Sequence, residues 1–206
     1  RAGVDMDMVS GVYRERLAEN LQRGRVTLEE IDRAVLRVLR IKQRAGLFEN
    51  PFTDPERAKR DLLTPASRQL AREFARQTVV LLKNDKDILP LDTNRFKRIL
   101  IAGPFVHARS ELFGTWTPDG RAEDVTPLDE AIRQVTPQGI ELTFTEYPDR
   151  ALWHAAYCDA AVLLVGEHPS RSGENANISD LTLPPGQAEW IEAMAAMNIP
   201  IILVVF

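Results

Sequence analysis

Four short strand-like segments recur in the second half of the chain, and helical signals separate them. Segments rich in Val, Ile and Leu and bounded by turn residues are typical of strands buried on both faces. Strands that alternate with helices pair in parallel, with the helices covering both faces of one sheet. The pattern therefore predicts an α/β fold, a three-layer αβα sandwich with a mostly parallel sheet. The predicted strands are 98–102, 141–145, 160–165 and 200–206.

The first part of the chain shows helical signals only. A helix is predicted over 12–23, and a second begins at Thr27, where Glu30 three residues later completes a capping box. A third helix is predicted from Thr64-Pro65, because proline is favoured at the first helical position. Prolines interrupt the segment 47–55, which is predicted to be a linker. The predicted domains are 1–50, then a linker with a helix over 51–97, then the sandwich over 98–206.

The composition is typical of a globular protein and indicates neither nucleic-acid binding nor a membrane span. The chain has 206 residues, 44% of them hydrophobic, and a formal net charge of −4 with Lys and Arg dispersed. The sequence has no basic stripe of the kind that indicates nucleic-acid binding. Apolar runs such as 199–206 are too short to span a bilayer. Cys158 is the only cysteine. The chain begins without Met and ends in a strand-like run, so we expect it to be a segment of a larger protein.

The segment after the third predicted strand is rich in side chains that can act as acids, bases or hydrogen-bond donors. It holds Glu167, His168, Arg171 and Glu174 within eight residues. Ligands of open α/β sheets bind beyond the carboxyl ends of the strands. The segment runs about 18 residues to the next helix signal, and loops of that length are usually functional or mobile. A functional loop is therefore predicted here.

Nucleotide and metal sites are not favoured. The turn after the first strand, 102–106, has a single glycine, and no Gly-x-Gly-x-x-Gly or phosphate-loop pattern occurs. The three histidines, His107, His154 and His168, are scattered rather than set at a metal-ligand spacing. We expect no cofactor and no metal.

A series of short motifs extends along nearly the whole chain. They are Ala2 to Met8, Ile31 to Val35, Lys42 to Phe48, Val80 to Asn84, Leu89-Pro90-Leu91, Ile101 to Pro104, Gly114-Thr115-Trp116, Gly166-Glu167, Ser172-Gly173-Glu174 and Asp180 to Pro184. In this order they resemble glycoside hydrolase family 3, specifically bacterial β-glucosidases of the periplasmic type.

The resemblance implies a retaining, exo-acting β-glycosidase that needs no cofactor. The first domain would be the helical tail of a (β/α)8-like barrel, whose upstream part would supply an aspartate nucleophile from a Ser-Asp-Trp-like motif outside this chain. The sandwich would supply the acid/base carboxylate. The implied substrates are β-linked oligosaccharides or aryl and alkyl β-glucosides, cleaved at terminal non-reducing β-D-glucosyl residues. The implied partner is the upstream barrel. The resemblance implies the periplasm or the exterior as the location, and the residues themselves leave the cytoplasm open.

Glu174 matches the family's acid/base glutamate in the Ser-Gly-Glu loop, whereas its position alone favours a solvated loop glutamate. Glu167 is the second candidate, better placed to hold the loop. Many bacterial members continue Glu-x-x-Ser-Arg, whereas this chain has Asn177 and Ile178 there. We expect Arg171 to take over from the missing arginine.

Other side chains have two open interpretations each. Trp116 either stacks on the aglycone side of the substrate, as the resemblance implies, or packs in the core. His168 either binds sugar or stabilises the loop. Trp153 and Trp190 lie in helical segments and are predicted to be core residues. By resemblance, Asp5 and Asp7 stabilise the barrel end.

Two further functions remain open for the chain as a whole. A sandwich of this kind can keep its fold after its loop has lost an acid. It would then be a non-catalytic sugar-binding lobe, or a structural lobe that closes the barrel.

Overall fold

The computed structural model describes residues 3–206 and divides the chain into two compact units. The first unit ends at Val80, and the second runs Leu81–Phe206. No helix in the described range is long and apolar enough to cross a membrane.

The first unit is helical. The capping box predicted at the start of its longest helix is present: Thr27 Oγ1 accepts from Glu30 N at 3.1 Å, and Glu30 Oε2 accepts from Thr27 N at 2.9 Å. Both pairs satisfy amides that have no partner within the helix. The helices are α1 (Val12–Gln22), α2 (Leu28–Arg44), α3 (Pro55–Asp61) and α4 (Pro65–Thr78).

Helix α3 lies where the sequence predicted only linker. Asp54 caps it, with Oδ1 accepting from Glu56 N at 2.9 Å, and Pro55 takes the first helical position. An aspartate followed by proline is a helix start as well as a chain break. The prolines therefore begin a short helix instead of excluding one.

The second unit is built on a four-stranded parallel sheet in the order β2-β1-β3-β4. All four predicted strands are confirmed, and the predicted sandwich with them. The strands are β1 (Arg98–Ala102), β2 (Glu141–Thr145), β3 (Ala160–Val165) and β4 (Ile201–Val205). The helices are α5 (Leu128–Val135), α6 (Pro148–Ala155) and α7 (Gln187–Ala195).

Alternating side chains of β1 and β3 divide the core between the two faces of the sheet. Leu100 and Leu163 pack with α6 and α7 on one face, whereas Ile101 and Leu164 pack on the other face with α5 and the turn after β1. Because successive side chains of a strand point to opposite faces, a strand covered on both sides must be apolar throughout. This explains why β3 reads as a continuous apolar run.

The strand order sets where a ligand would bind. The chain passes from β1 outward to β2 and then returns past β1 to β3, so the order reverses between β1 and β3. Open α/β sheets bind ligands outside the carboxyl ends of the strands at such a switch point. The segments that leave β1 and β3 there are 103–120 and 166–186, which we call the first loop and the second loop.

Candidate functional site

Both ends of the second loop are joined by one side chain. Gln187, the first residue of α7, accepts from Gly166 N at 2.8 Å and donates to Gly166 O at 2.9 Å. Gly166 is buried directly after β3, so its peptide groups need partners. The side-chain amide of glutamine has one acceptor oxygen and one donor nitrogen, so it can pair with Gly166 N and Gly166 O as the backbone of a neighbouring strand would. The loop therefore closes on itself at the edge of the sheet.

His168 stabilises the start of this loop. Its Nδ1 accepts from Ser170 N at 3.2 Å and so caps the short 3-10 helix Pro169–Arg171, and the same Nδ1 lies 2.8 Å from Ser170 Oγ. Because Nδ1 is an acceptor, the proton of the neutral ring lies on Nε2, which makes no hydrogen bond with the described residues. The loop-stabilising interpretation of His168 is supported, and its outer nitrogen is left for other contacts.

Thr115 connects the first loop to the second. Its Oγ1 lies 2.7 Å from Pro169 O, 2.9 Å from Ser172 O and 3.0 Å from Ser172 Oγ. The neighbouring residue, Trp116, has 72% of its surface exposed. Core packing, one of the two interpretations of Trp116, does not occur.

Glu174 lies in a turn of the second loop that begins directly after Ser172-Gly173. The turn is closed by Ala176 N donating to Gly173 O at 3.1 Å, and Asn175 takes a left-handed φ of 62°. The Glu174 side chain is exposed and makes no hydrogen bond or ion pair with the rest of the described chain. Its carboxyl is thus carried on a hydrogen-bonded turn and has no hydrogen-bond partner there.

Glu167 and Arg171 face each other across one turn of the loop, with Glu167 Oε1 3.5 Å from Arg171 Nη2. Both side chains are about one-third exposed. Asp180 lies nearby, and its pKa is lowered by the backbone amide and hydroxyl of Thr182, with a smaller contribution from Arg171. The second candidate carboxylate, Glu167, is therefore engaged within the loop, in contrast to Glu174.

A cavity of about 510 Å³ opens between the two loops. Glu111 contributes a carboxylate to it. The amides of Glu111 itself and of Arg109 hold the pKa of this carboxyl below its usual range, so it stays ionised at mild acidity. The lining residues are Phe105, Glu111, Leu112, Gly114, Thr115, Glu167, His168, Pro169, Ser172 and Phe206.

The two helical tryptophans differ. Trp190 is buried against the sheet, as predicted, with 6% exposure. The prediction for Trp153 is wrong, because this side chain is 63% exposed and contacts only His154 and Tyr157 among the rings described. The sequence indicates a helical segment over 153–158, whereas α6 runs 148–155 and turns Ala151 and Ala155 inward.

Asp5 and Asp7 have local structural contacts in the first unit. Asp5 pairs with Arg37 of α2 through both guanidinium nitrogens that face it, and these hydrogen bonds lower the Asp5 pKa. Asp7 accepts from the amide and hydroxyl of Ser10 at 3.0 and 2.8 Å. Between residues 3 and 206 no cluster of three His, Cys, Asp or Glu side chains could hold a metal ion.

Sequence reasoning missed three residues of this region: Thr115, Gln187 and Glu111. Thr115 and Ser172 are 57 residues apart, and Gln187 and Gly166 are 21 apart. No local pattern marks such pairs. The one available signal was that Thr115 precedes the conspicuous Trp116.

The comparisons with known proteins agree with this architecture. Residues 79–206 match the model of the glycosyl hydrolase family 3 C-terminal domain. The chain is 26% identical to a periplasmic beta-glucosidase of Salmonella typhimurium and 27% identical to a beta-xylosidase of Formosa agariphila. In both cases the match covers 99% of this chain and 31% of the relative.

A solved structure matches over the whole chain. The beta-glucosidase from Listeria innocua, crystallised in complex with gluconolactone, superposes with a TM-score of 0.86 at 28% identity. The superposition covers 100% of this chain and 29% of that protein. The chain thus spans about a third of the length of the relatives it matches, and it belongs to glycosyl hydrolase family 3, with the family's C-terminal domain at residues 79–206.

Proposed function

We propose that this chain supplies the acid/base carboxylate of a retaining, exo-acting β-glycosidase of the β-glucosidase type, and that Glu174 is this carboxylate. The family supports the reaction class, since the relatives are named β-glucosidases and β-xylosidases. The aspartate nucleophile would come from a barrel domain upstream. Residues 1–50 would be the helical tail of that barrel.

The observation that carries the proposal is that the loop backbone near Glu174 is held by hydrogen bonds, whereas the Glu174 carboxyl makes none. The second loop leaves the sheet at its switch point and is tied down at Gly166 and at Ser172. Glu174 follows two residues after the second tie, exposed and without a partner among the described residues. A proton donor needs this combination of fixed backbone and free carboxyl, because it must reach a substrate oxygen at hydrogen-bond distance.

In the proposed mechanism, the barrel aspartate attacks the anomeric carbon while the Glu174 carboxyl protonates the departing glycosidic oxygen. A covalent glycosyl-enzyme forms and the aglycone alcohol leaves. The Glu174 carboxylate then removes a proton from water, which attacks the same carbon and releases the sugar with its configuration retained. Two carboxyls that act in this way stand about 5–5.5 Å apart.

The neighbouring side chains would bind the substrate. Trp116, which follows Thr115 in the chain, offers an exposed ring on which the aglycone sugar can stack. Arg171 and the free Nε2 of His168 would donate hydrogen bonds to sugar hydroxyls. Arg171 would also replace the arginine that many bacterial members carry where this chain has Ile178. The substrates would be β-linked oligosaccharides and aryl or alkyl β-glucosides.

The test is Glu174→Ala in the full-length protein, assayed with two classes of substrate. A disaccharide has a poor leaving group that needs protonation, so its kcat/KM should fall by roughly 10²- to 10⁴-fold. A dinitrophenyl glycoside leaves without protonation, so its glycosylation step should fall far less. Glu167→Gln is the matched control and should show no such dependence on the leaving group.

Unchanged disaccharide hydrolysis in Glu174→Ala would overturn the assignment. If the unmodified full-length protein had no glycosidase activity, the alternative of a non-catalytic lobe would be favoured. A leaving-group dependence in Glu167→Gln instead would move the role to Glu167.

A further inference from the structure

We propose that Thr115 is a positioning residue that ties the turn carrying Trp116 to the loop carrying Glu174, so that the aglycone contact and the proton donor hold a fixed spacing. The inference rests on the proposed function of Glu174 and Trp116. It assigns to Thr115 a role that acts through Trp116 and Glu174.

The first support is the hydroxyl of Thr115. Its Oγ1 faces Pro169 O at 2.7 Å and Ser172 O at 2.9 Å, and Ser172 Oγ lies 3.0 Å away. A hydroxyl has one proton to donate and can accept as well. Thr115 therefore donates to the two carbonyls in turn and accepts from the hydroxyl of Ser172. One side chain thus holds both ends of the short 3-10 helix Pro169–Arg171.

The second support is the methyl group of Thr115. Gly173 has a φ of +127°, and a Cβ built on it would lie 2.3 Å from Thr115 Cγ2. Carbon atoms cannot approach so closely, so the backbone at 173 rests against the threonine methyl only because a glycine stands there. The next residue is Glu174. Both branches of Thr115 therefore touch the two residues that precede the proposed acid/base.

The third support is the position of Thr115 in the chain. It is bonded directly to Trp116, whose side chain is 72% exposed. The backbone from Thr115 to Trp116 and the contact from Thr115 to Gly173 form a continuous path between the two proposed substrate contacts. Proton transfer depends steeply on the placement of the donor, so this path controls rate.

The kinetic test compares Thr115→Val with Thr115→Ser in the full-length protein. Valine keeps the shape and loses the hydroxyl, and it should lower kcat/KM for a disaccharide by roughly three- to tenfold, the equivalent of one or two lost hydrogen bonds. The loss for a dinitrophenyl glycoside should be much smaller. Serine keeps the hydroxyl and should restore the disaccharide rate.

Thr117→Val is the matched control. The Thr117 hydroxyl donates to Phe113 O at 3.1 Å within its own turn and has no bond to the second loop. The control loses the same hydroxyl from the same turn, and its disaccharide to dinitrophenyl ratio should equal that of the unmodified protein.

A second experiment tests the contact without activity. Hydrogen exchange on the full-length protein should be faster in Thr115→Val than in the unmodified protein, in peptides from both 112–118 and 168–176. Thr117→Val should change only the first peptide. A local role for Thr115 would change the first peptide alone, and that result would overturn the inference.

Gly173→Ala adds a test of the methyl contact. Alanine there is strained by its φ and collides with Thr115 Cγ2, so the disaccharide rate should fall. Adding Thr115→Ser removes the colliding methyl and should recover part of the loss. If the double variant is no better than Gly173→Ala, the packing contact carries no coupling and that part of the inference is wrong.

The outcomes separate this inference from the proposed function. If Glu174→Ala shows the leaving-group dependence and Thr115→Val does not, the acid/base stands and the positioning role falls. If Thr115→Val speeds hydrogen exchange in both peptides while Glu174→Ala leaves the rate of disaccharide hydrolysis unchanged, the contact between the loops stands and the acid/base assignment falls.

Discussion

The sheet and the second loop of the same unit are held together in different ways. Side chains of β3 are buried almost completely and contact helices on both faces of the sheet. The second loop exposes most of its side chains and is fixed by a few hydrogen bonds, chiefly from Gln187 and Thr115. Stability is thus spread over many contacts in the sheet, whereas the placement of the loop depends on few.

This difference predicts different consequences of substitution. A change in the sheet removes buried apolar area and costs folding free energy. A change in the loop removes little area but shifts the proposed acid/base carboxyl, which would have to be placed accurately. The three predictions below are ordered from the largest expected effect to the smallest.

Leu163→Ala should have the largest effect on stability. Leu163 is fully buried in β3, so the truncation should lower the free energy of unfolding by about 2–5 kcal/mol. Leu181→Ala is the matched change in the second loop, where the leucine is 93% exposed, and it should cost at most about 0.5 kcal/mol. Denaturant unfolding of both variants measures the difference. Equal losses would contradict the contrast between sheet and loop.

Gln187→Met should have an intermediate effect. Methionine matches glutamine in size but cannot pair with Gly166, whose buried peptide groups would lose both partners. We expect a loss of about 1–3 kcal/mol in unfolding free energy, together with a lower disaccharide rate. Gln134→Met, on the exposed side of α5, is the control and should be neutral. If both variants behave alike, the loop is not closed by Gln187.

Asp159→Asn should have the smallest effect, and it should depend on pH. The side chain of Arg98 and then the amides of Arg98 and Lys97 hold the Asp159 pKa below its usual value. A lowered folded pKa stabilises the fold above the ordinary aspartate pKa of about 3.9, and this contribution is lost as pH falls through the lowered value. The variant should therefore be less stable at neutral pH, by about 1 kcal/mol, and should approach the unmodified protein in strong acid.

Asp119→Asn is the control for this pH dependence, since Asp119 is exposed in the first loop. Its unfolding free energy should track that of the unmodified protein at every pH. A difference for Asp159→Asn that stays constant down to strong acid would contradict the electrostatic explanation.

The strands could be predicted from sequence because their signal is local. Alternating or continuous apolar residues and flanking turns mark β1 to β4 without knowledge of their partners. The exposure of Trp153 was mispredicted because Ala151 and Ala155, four residues apart, form the inward face of α6, and Trp153 midway between them lies on the opposite face. The ties made by Thr115 and Gln187 escaped prediction because they join residues far apart in sequence.

Glu174 could be proposed as a catalytic carboxylate only through resemblance, since its position alone is that of an ordinary loop glutamate. The structure adds a physical difference between the two candidates: Glu167 pairs with Arg171, whereas Glu174 makes no hydrogen bond or ion pair with the described residues. That difference depends on how the loop folds, which the motif alone does not contain.

The most direct test of the central claim is the product that Glu174→Ala forms from a dinitrophenyl β-glucoside in the presence of azide. Without the base that deprotonates water, hydrolysis of the glycosyl-enzyme is slow. Azide needs no deprotonation and can attack the anomeric carbon in place of water. Faster turnover and a β-glucosyl azide, identified by NMR, would confirm Glu174 as the acid/base. Turnover that does not respond to azide, with free glucose as the only sugar product, would contradict it.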